Sequence, residues 1–343
     1  MDLIKTIKGV EYYSIGEEFD YLSYSNRFLG LRLFPLFKTP NMKVAIMDLV
    51  KDHKIPVVAL VHALDAESQK GDRPDLEEFK EELFLVKQSL NQGEELRKKF
   101  RDAGLNITEK MLIDAVYNDA RNLISAVLTR FEAMADELLG TGYVTINENN
   151  ISRVIDYNIP TTSRFGFFDW SNPAHDILGD INTFKKAHPN VIRAYTSTTV
   201  LGWIMSNTAV QTIASKVAPY LATEAWVITY FESIFGIEFV NVDKILEKQT
   251  YKRRYHDAVE YRFFPSEFIT FTENAGELGK TFTTFTPIED LGAVNGGVDY
   301  SETANVVVYT DISKDPAQVK TIAEGMGLPV LADKDTIYFA TFA

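Results

Sequence analysis

Apolar residues change their spacing several times along this chain, and each change predicts a different element. Over the first 40 residues aromatic side chains are frequent (Tyr12, Tyr13, Phe19, Tyr21, Tyr24, Phe28, Phe34, Phe37), yet they keep neither a helical nor a strand period. Such a segment must bury its rings on a surface it does not itself supply, either its own domain or a neighbour. Val44 to Val50 and Pro56 to Val61 are runs rich in Val, Ile and Leu, set off by the polar breaks Lys51–Lys54 and Gln69–Pro74, and read as strands. Leu76, Phe79, Leu83, Val86 and Leu90 then recur at three- and four-residue spacing, so periodicity alone reads a helix there.

From Glu94 the pattern sharpens. Glu94 to Ala103 reads as a short amphipathic helix ended by Gly104. Asn106 and Glu109 form a capping pair for a second helix that runs from about 109 to about 139. Its stripe is Leu112, Val116, Ala120, Leu123, Val127, Phe131, Met134 and Leu138. A helix of about 30 residues reaches roughly 45 Å, against a usual length of about 11 to 12 residues. It needs a flat partner along its length, such as a sheet. Gly140 and Gly142 are the expected stop. Tyr143 to Ile146 and Val154 to Ile159, flanking Asn147–Asn150, predict a hairpin closed by Pro160.

Residues 165 to 262 mix helical and strand patterns, the mark of a compact α/β lobe. Asn172-Pro173 opens a helix ending near His188-Pro189, and Val191 to Tyr195 is a strand. Thr199 to Ser215 and Tyr220 to Phe235 read as helices, and Ile237 to Val240 as a strand. Further on, Val306 to Tyr309 and Ile337 to Phe342 read as strands flanking a helix from Pro316 to about Gly325. The fold class expected from this mixture is α+β.

Composition narrows the function classes. The chain has 343 residues, 45% of them hydrophobic, and a net charge of -13. That charge argues against tight sequence-independent binding to DNA, which rests on Lys and Arg neutralising phosphates. With no cysteine, disulfides, thiolate metal sites and cysteine nucleophiles drop out. Met1 to Lys5 lacks the pattern of a signal peptide. The longest apolar runs are broken by charges well short of the roughly 20 residues that a membrane span needs.

Catalytic constellations do not emerge. No two of His53, His62, His175, His188 and His256 stand at the four-residue spacing of a helical zinc site. Lys280 lacks the glycine frame of a phosphate loop, and no G-x-S-x-G occurs. Glu77-Glu78 and Glu81-Glu82 read as a solvated edge, and Arg97-Lys-Lys99 and Lys252-Arg-Arg254 as surface or interface charges. His175-Asp176 reads as helix capping. A hydrolase or transferase would have to use Asp169, His175 and Asp176. The expectation is no catalytic residue, no cofactor and no metal.

The C-terminal fifth carries the strongest signal. It comprises Phe263-Phe264-Pro265, Phe268 to Glu273, Leu278 to Phe282, Asp315-Pro316, Leu328 to Ala332 and Ile337 to Thr341. With the long-helix block Asn118-Asp119, Leu123, Val127, Arg130, Glu132, Met134, Leu138-Leu139 leading into Gly142, and the hairpin after it, this resembles the E family of tailed-bacteriophage major capsid proteins, the phage lambda type. The resemblance runs from about Phe34 to Ala343. It implies the Hong Kong 97-type phage capsid fold. On that template residues 1–40 are an N-terminal arm and 41–93 an extended loop, which makes Leu76–Leu90 extended rather than helical. Residues 94–164 are a peripheral domain with a spine helix at about 109–139, residues 165–286 an axial domain, and residues 287–343 a return to the peripheral domain. It further implies self-assembly into pentamers and hexamers of an icosahedral head. Portal, scaffold and decoration proteins are the implied partners. The head encloses double-stranded DNA without sequence-specific contact, and assembly is in the host cytoplasm. An encapsulin-type compartment shares the fold. Removing Met1 to Thr39 is expected to leave a folded core that assembles poorly.

Overall fold

A computed structural model of the chain describes residues 24, 26–40, 43–49, 76–92, 109–167, 169–217, 221–253, 258–295, 300–314 and 317–342. Around the short helix α1 (Gly30–Leu33) and strand β1 (Leu36–Lys38), the described part of the aromatic segment finds its surface in its own chain: Phe28, Leu29, Leu31, Leu33 and Phe34 are all buried. Phe37 is half exposed. Strand β2 (Lys43–Leu49) pairs antiparallel with β3 (Leu76–Glu82), Lys43 opposite Glu82. The strand expected at Pro56–Val61, the helix expected at Glu94–Ala103 and the cap at Asn106 lie outside the described residues. Leu76 to Leu90 is extended: β3 runs on into β4 (Phe84–Gln92). Its helical spacing is overridden by backbone pairing along the whole of β4.

Helix α2 (Glu109–Thr141) has 33 residues. Its stripe from Ala120 through Leu123, Val127, Phe131 and Met134 to Leu138 is buried. The helix runs through Gly140 and stops at Gly142, which takes φ +74°, a left-handed conformation that costs a residue without a Cβ little. Next comes the hairpin of β5 (Tyr143–Glu148) and β6 (Ile151–Asp156). Asn149 and Asn150 make its tight turn, both at positive φ. The turn is shorter than expected, so the second strand starts at Ile151 rather than Val154.

The lobe that follows is built on five strands. Strands β7 (Arg164–Gly166), β8 (Arg193–Thr196), β9 (Glu238–Asn241), β12 (Phe268–Thr272) and β17 (Ile337–Thr341) form one sheet in the order β7-β17-β12-β8-β9. Between β9 and β12 in the chain lies a small ribbon, β10 (Thr250–Tyr251) with β11 (Tyr261–Arg262). Helices α3 (Ile177–Ala187), α4 (Thr198–Ser206), α5 (Thr208–Val217), α6 (Glu224–Phe235) and α7 (Val242–Ile245) complete the lobe. Its core holds Trp170, Phe184, Phe231, Phe239 and Phe271. The single helix expected over Thr199–Ser215 is two, α4 and α5. Asn207 breaks it: its side-chain oxygen accepts from the N–H groups of Ala209 and Val210, and its amide donates to the carbonyls of Pro173 and His175. Asn at a helix start does this readily, whereas mid-helix it competes with the backbone ladder.

The second sheet centres on β16 (Ala317–Leu331), where a helix was expected over Pro316–Gly325. That expectation is wrong. Strand β4 lies along one flank of β16, from Val319 to Gly327. On the other flank come β15 (Val306–Lys314) and then β13 (Gly279–Thr284). Beyond them β14 (Ser301–Thr303) and β1 are the outer strands, and α8 (Pro287–Asn295) links β13 to β14. Glycines in β16 serve the packing: a Cβ on Gly325 would stand 3.0 Å from Val127, and one on Gly327 3.2 Å from Phe131. The long helix thus has the flat partner its length demanded. The architecture is α+β, with α2 laid on this sheet and Leu139 joined to the other lobe by the Thr270 hydroxyl at 2.6 Å.

Candidate functional site

The residues a hydrolase would need are committed to local structure. Asp176 caps α3, accepting from the Gly179 N–H at 3.0 Å. Asp169 sits at φ +65° and accepts from the Asn172 amide at 3.0 Å. The acid facing His175 is Asp180, 2.8 Å from Nε2, and the same oxygen accepts from the Trp170 indole N–H at 2.8 Å. Sequence reading missed Asp180. The only trace was its place within the helix expected from Asn172-Pro173, five residues beyond His175. This arrangement ties a loop to a helix and presents no nucleophile.

Other candidates resolve in the same way. His188 packs among the rings of Phe165, Phe184 and Tyr338. His53, His62, His256, Arg254 and Arg97-Lys-Lys99 lie outside the described residues. Glu81 pairs with Arg153 at 2.7 Å, Lys280 with Glu277, and Lys252 with Glu260 at 3.5 Å. A cleft of about 300 Å³ between α2, the β5–β6 hairpin and the β10–β11 ribbon is lined by Arg130, Glu137, Tyr251, Arg253 and Arg262. Its guanidinium groups are occupied: Arg130 by Glu148 at 2.5 Å, Arg262 by Asp243 at 2.5 Å, and Arg253 by the Asn147 carbonyl and the Tyr261 ring. Among the described residues no three His, Asp or Glu side chains converge as a metal site would require. No helix among them is long and apolar enough to cross a membrane.

What the chain does present is surface. Ile151 and Val154 on the hairpin are 49% and 61% exposed, and Leu221 ahead of α6 is 79% exposed. Ile234 on α6 is exposed too, one turn beyond the stacked rings of Trp226 and Tyr230. Single exposed apolar residues are ordinary. The β2–β3 ribbon is not: among the described residues those two strands pair only with each other. Two strands alone are marginally stable in water.

The sequence matches no family model, and no curated protein matches it. Solved structures do. A phage-related protein from Bordetella bronchiseptica RB50 superposes with a TM-score of 0.56 at 11% identity, over 96% of this chain and 95% of that one. A prophage protein of Escherichia coli CFT073 assigned as a capsid protein gives 0.53 at 14% identity, over 99% and 97%. The chain has the Hong Kong 97-type phage capsid fold. At such identities what is shared is the fold. The match spans nearly the whole chain.

Proposed function

We propose that this chain is a structural major capsid protein of a tailed bacteriophage, one that works without an active site. The observation that carries the reading is the capsid fold over nearly the full length of the chain. The finer assignment, to the lambda-type E family, rests on the C-terminal and long-helix blocks of the sequence. In this reading residues 1–40 are the arm, 41–93 the extended loop with β2 and β3 in it, and 94–164 the peripheral domain with α2 as its spine. Residues 165–286 are the axial domain, and 287–343 return to the peripheral domain.

The ribbon supplies the physical motive. A two-stranded projection gains its stability from a surface outside itself, and a second copy of the chain offers one. If every copy covers its neighbour's ribbon in turn, the contact is head-to-tail and closes into rings when the rotation permits. Pentamers and hexamers are such rings. Portal, scaffold and decoration proteins would complete a head around double-stranded DNA. The acidic net charge of -13 suits a wall that must not trap that DNA.

The test is sedimentation and electron microscopy of the purified full chain, alone and with its assembly partners. Rings or closed shells are the expected products. A monomer that persists at high concentration overturns the reading. A cargo enzyme inside the shell in place of DNA would assign the protein to the encapsulin-type compartments instead.

A further inference from the structure

Two carboxylates lie where a solvated helix face would ordinarily place none. Glu132 and Asp136, one turn apart on α2, are both fully buried. Glu132 accepts the N–H of Gly30 at 2.7 Å on one oxygen and the N–H of Leu31 at 2.6 Å on the other. Gly30 is needed for this approach: a Cβ there would stand 2.8 Å from the Ala135 Cβ and 2.9 Å from the Glu132 Oε2. The Gly30–Leu31 turn is therefore the lid over the pair. Among the described residues Asp136 has no donor for either oxygen, and its polar neighbour is the Glu132 carboxyl. Two carboxylates cannot hydrogen-bond to one another. The contact closes only when one of them carries a proton, donated from carboxyl to carboxylate.

We infer that Glu132 and Asp136 form a proton-operated latch that seats the Gly30–Leu31 turn on α2, closed while the pair holds a proton and loosened when both ionise. With one proton, the ionised member serves the two backbone N–H groups and the protonated member satisfies it. With none, two like charges share a water-free site, and the only inexpensive relief is water entering under the lid. The four-residue helix α1 is that lid's frame, whereas α2 is held along its length by a sheet. Among the described residues no neighbouring cation neutralises the pair. Arg27 is engaged with Glu247, Arg130 with Glu148, and Arg164 with the Thr141 carbonyl and the rings of Tyr143 and Phe339. Arg32 is exposed, and Lys87 is held by Glu324 on the sheet side. Tyr24 bonds to the Ser125 carbonyl and the Thr129 hydroxyl. Burial pushes it up to about 12, so it stays neutral throughout.

Burial raises both acids, Glu132 to about 7, and Asp136 well above its ordinary value with the Glu132 charge adding to the effect. The folded chain thus holds a proton that the unfolded chain has released. The stabilisation is complete below the ordinary carboxylate range; Glu132's share is lost as pH rises through about 7, and that of Asp136, whose proton closes the contact, only at higher pH. The latch belongs to the single chain, so it stands or falls apart from the shell reading.

Hydrogen exchange of the full chain tests it. Corrected for intrinsic rate, protection of the Gly30 and Leu31 amides should fall by at least about tenfold between about pH 7 and about pH 10, while amides within β16 hold theirs. Asp136→Asn, which donates without titrating, should keep the two amides protected at the higher pH. Glu132→Gln should show lower protection that no longer varies with pH. Wild-type protection that is level across the range overturns the latch, as does an Asp136→Asn profile that falls as steeply as wild type. If Asp136→Asn does not fold, the wild-type profile and Glu132→Gln decide.

Discussion

Val127 shows what one position on α2 must satisfy. It is fully buried and meets bare backbone at Gly325. Val127→Asp places an unpaired carboxylate against that sheet, and the variant should be recovered only as insoluble protein. Val127→Ala leaves a cavity and should cost on the order of 2 kcal/mol in urea unfolding. Soluble, cooperatively folding Val127→Asp would contradict the packing. The role of Val127 was legible because it lies on the apolar stripe. Glu132 was not: spacing assigns an acid beside Phe131 to solvent, yet every residue from Phe131 to Asp136 is buried. The reason is that α2 is covered twice, by the sheet and by the Phe28–Phe34 segment, and no local pattern announces the second cover. Asp180 escaped in the same way, since its partner His175 reaches it only through the turn that Asp176 caps.

Among the elements, β4 was ambiguous and β16 was misread. Leu76 to Leu90 has helical spacing, but strand pairing supplied by a distant segment decides it. In β16 the run from Ala317 carries good helix formers, and its glycines read as a helix end rather than as room for α2. One side-chain pair helps join the two strands. Lys87 stands opposite Glu324 in register, their charges 2.9 Å apart, with Glu324 buried and Lys87 nearly half exposed. Lys87→Met should cost about 1–3 kcal/mol, less than a fully buried pair because water already screens the ammonium. Urea midpoints read it, and a change within error would mean that the Ile288 N–H and Tyr309 hydroxyl suffice for Glu324. The N-terminal segment alters another expectation. Removing Met1 to Thr39 takes Phe28, Leu29, Leu31, Leu33 and Phe34 out of the core. At about 1.5–3 kcal/mol each, their loss rivals the roughly 5–15 kcal/mol that holds a domain folded. The truncated chain should fail to fold rather than merely assemble poorly. A cooperative melt of that variant would refute the view that this segment is core.

For the whole molecule, a charge of -13 on every copy sets a condition on assembly. Copies repel over about 30 Å at 0.01 M salt but only about 10 Å at 0.1 M. If the chain builds shells, the assembled fraction should rise across that range, followed by light scattering and sedimentation. Assembly that weakens with added salt would point instead to complementary charges at the contacts. The amino-acid sequence alone determined the long helix, the hairpin after it, the C-terminal strands and the α+β class, because each rests on periodicity and turn chemistry that act within a few residues. Only the tertiary structure decided that β4 is a strand beside β16, that Phe28, Leu29, Leu31, Leu33 and Phe34 are core, and that two acids are shut away from water. Those outcomes depend on which distant surfaces meet, and burial and backbone pairing across such distances outweigh the preference of any short stretch.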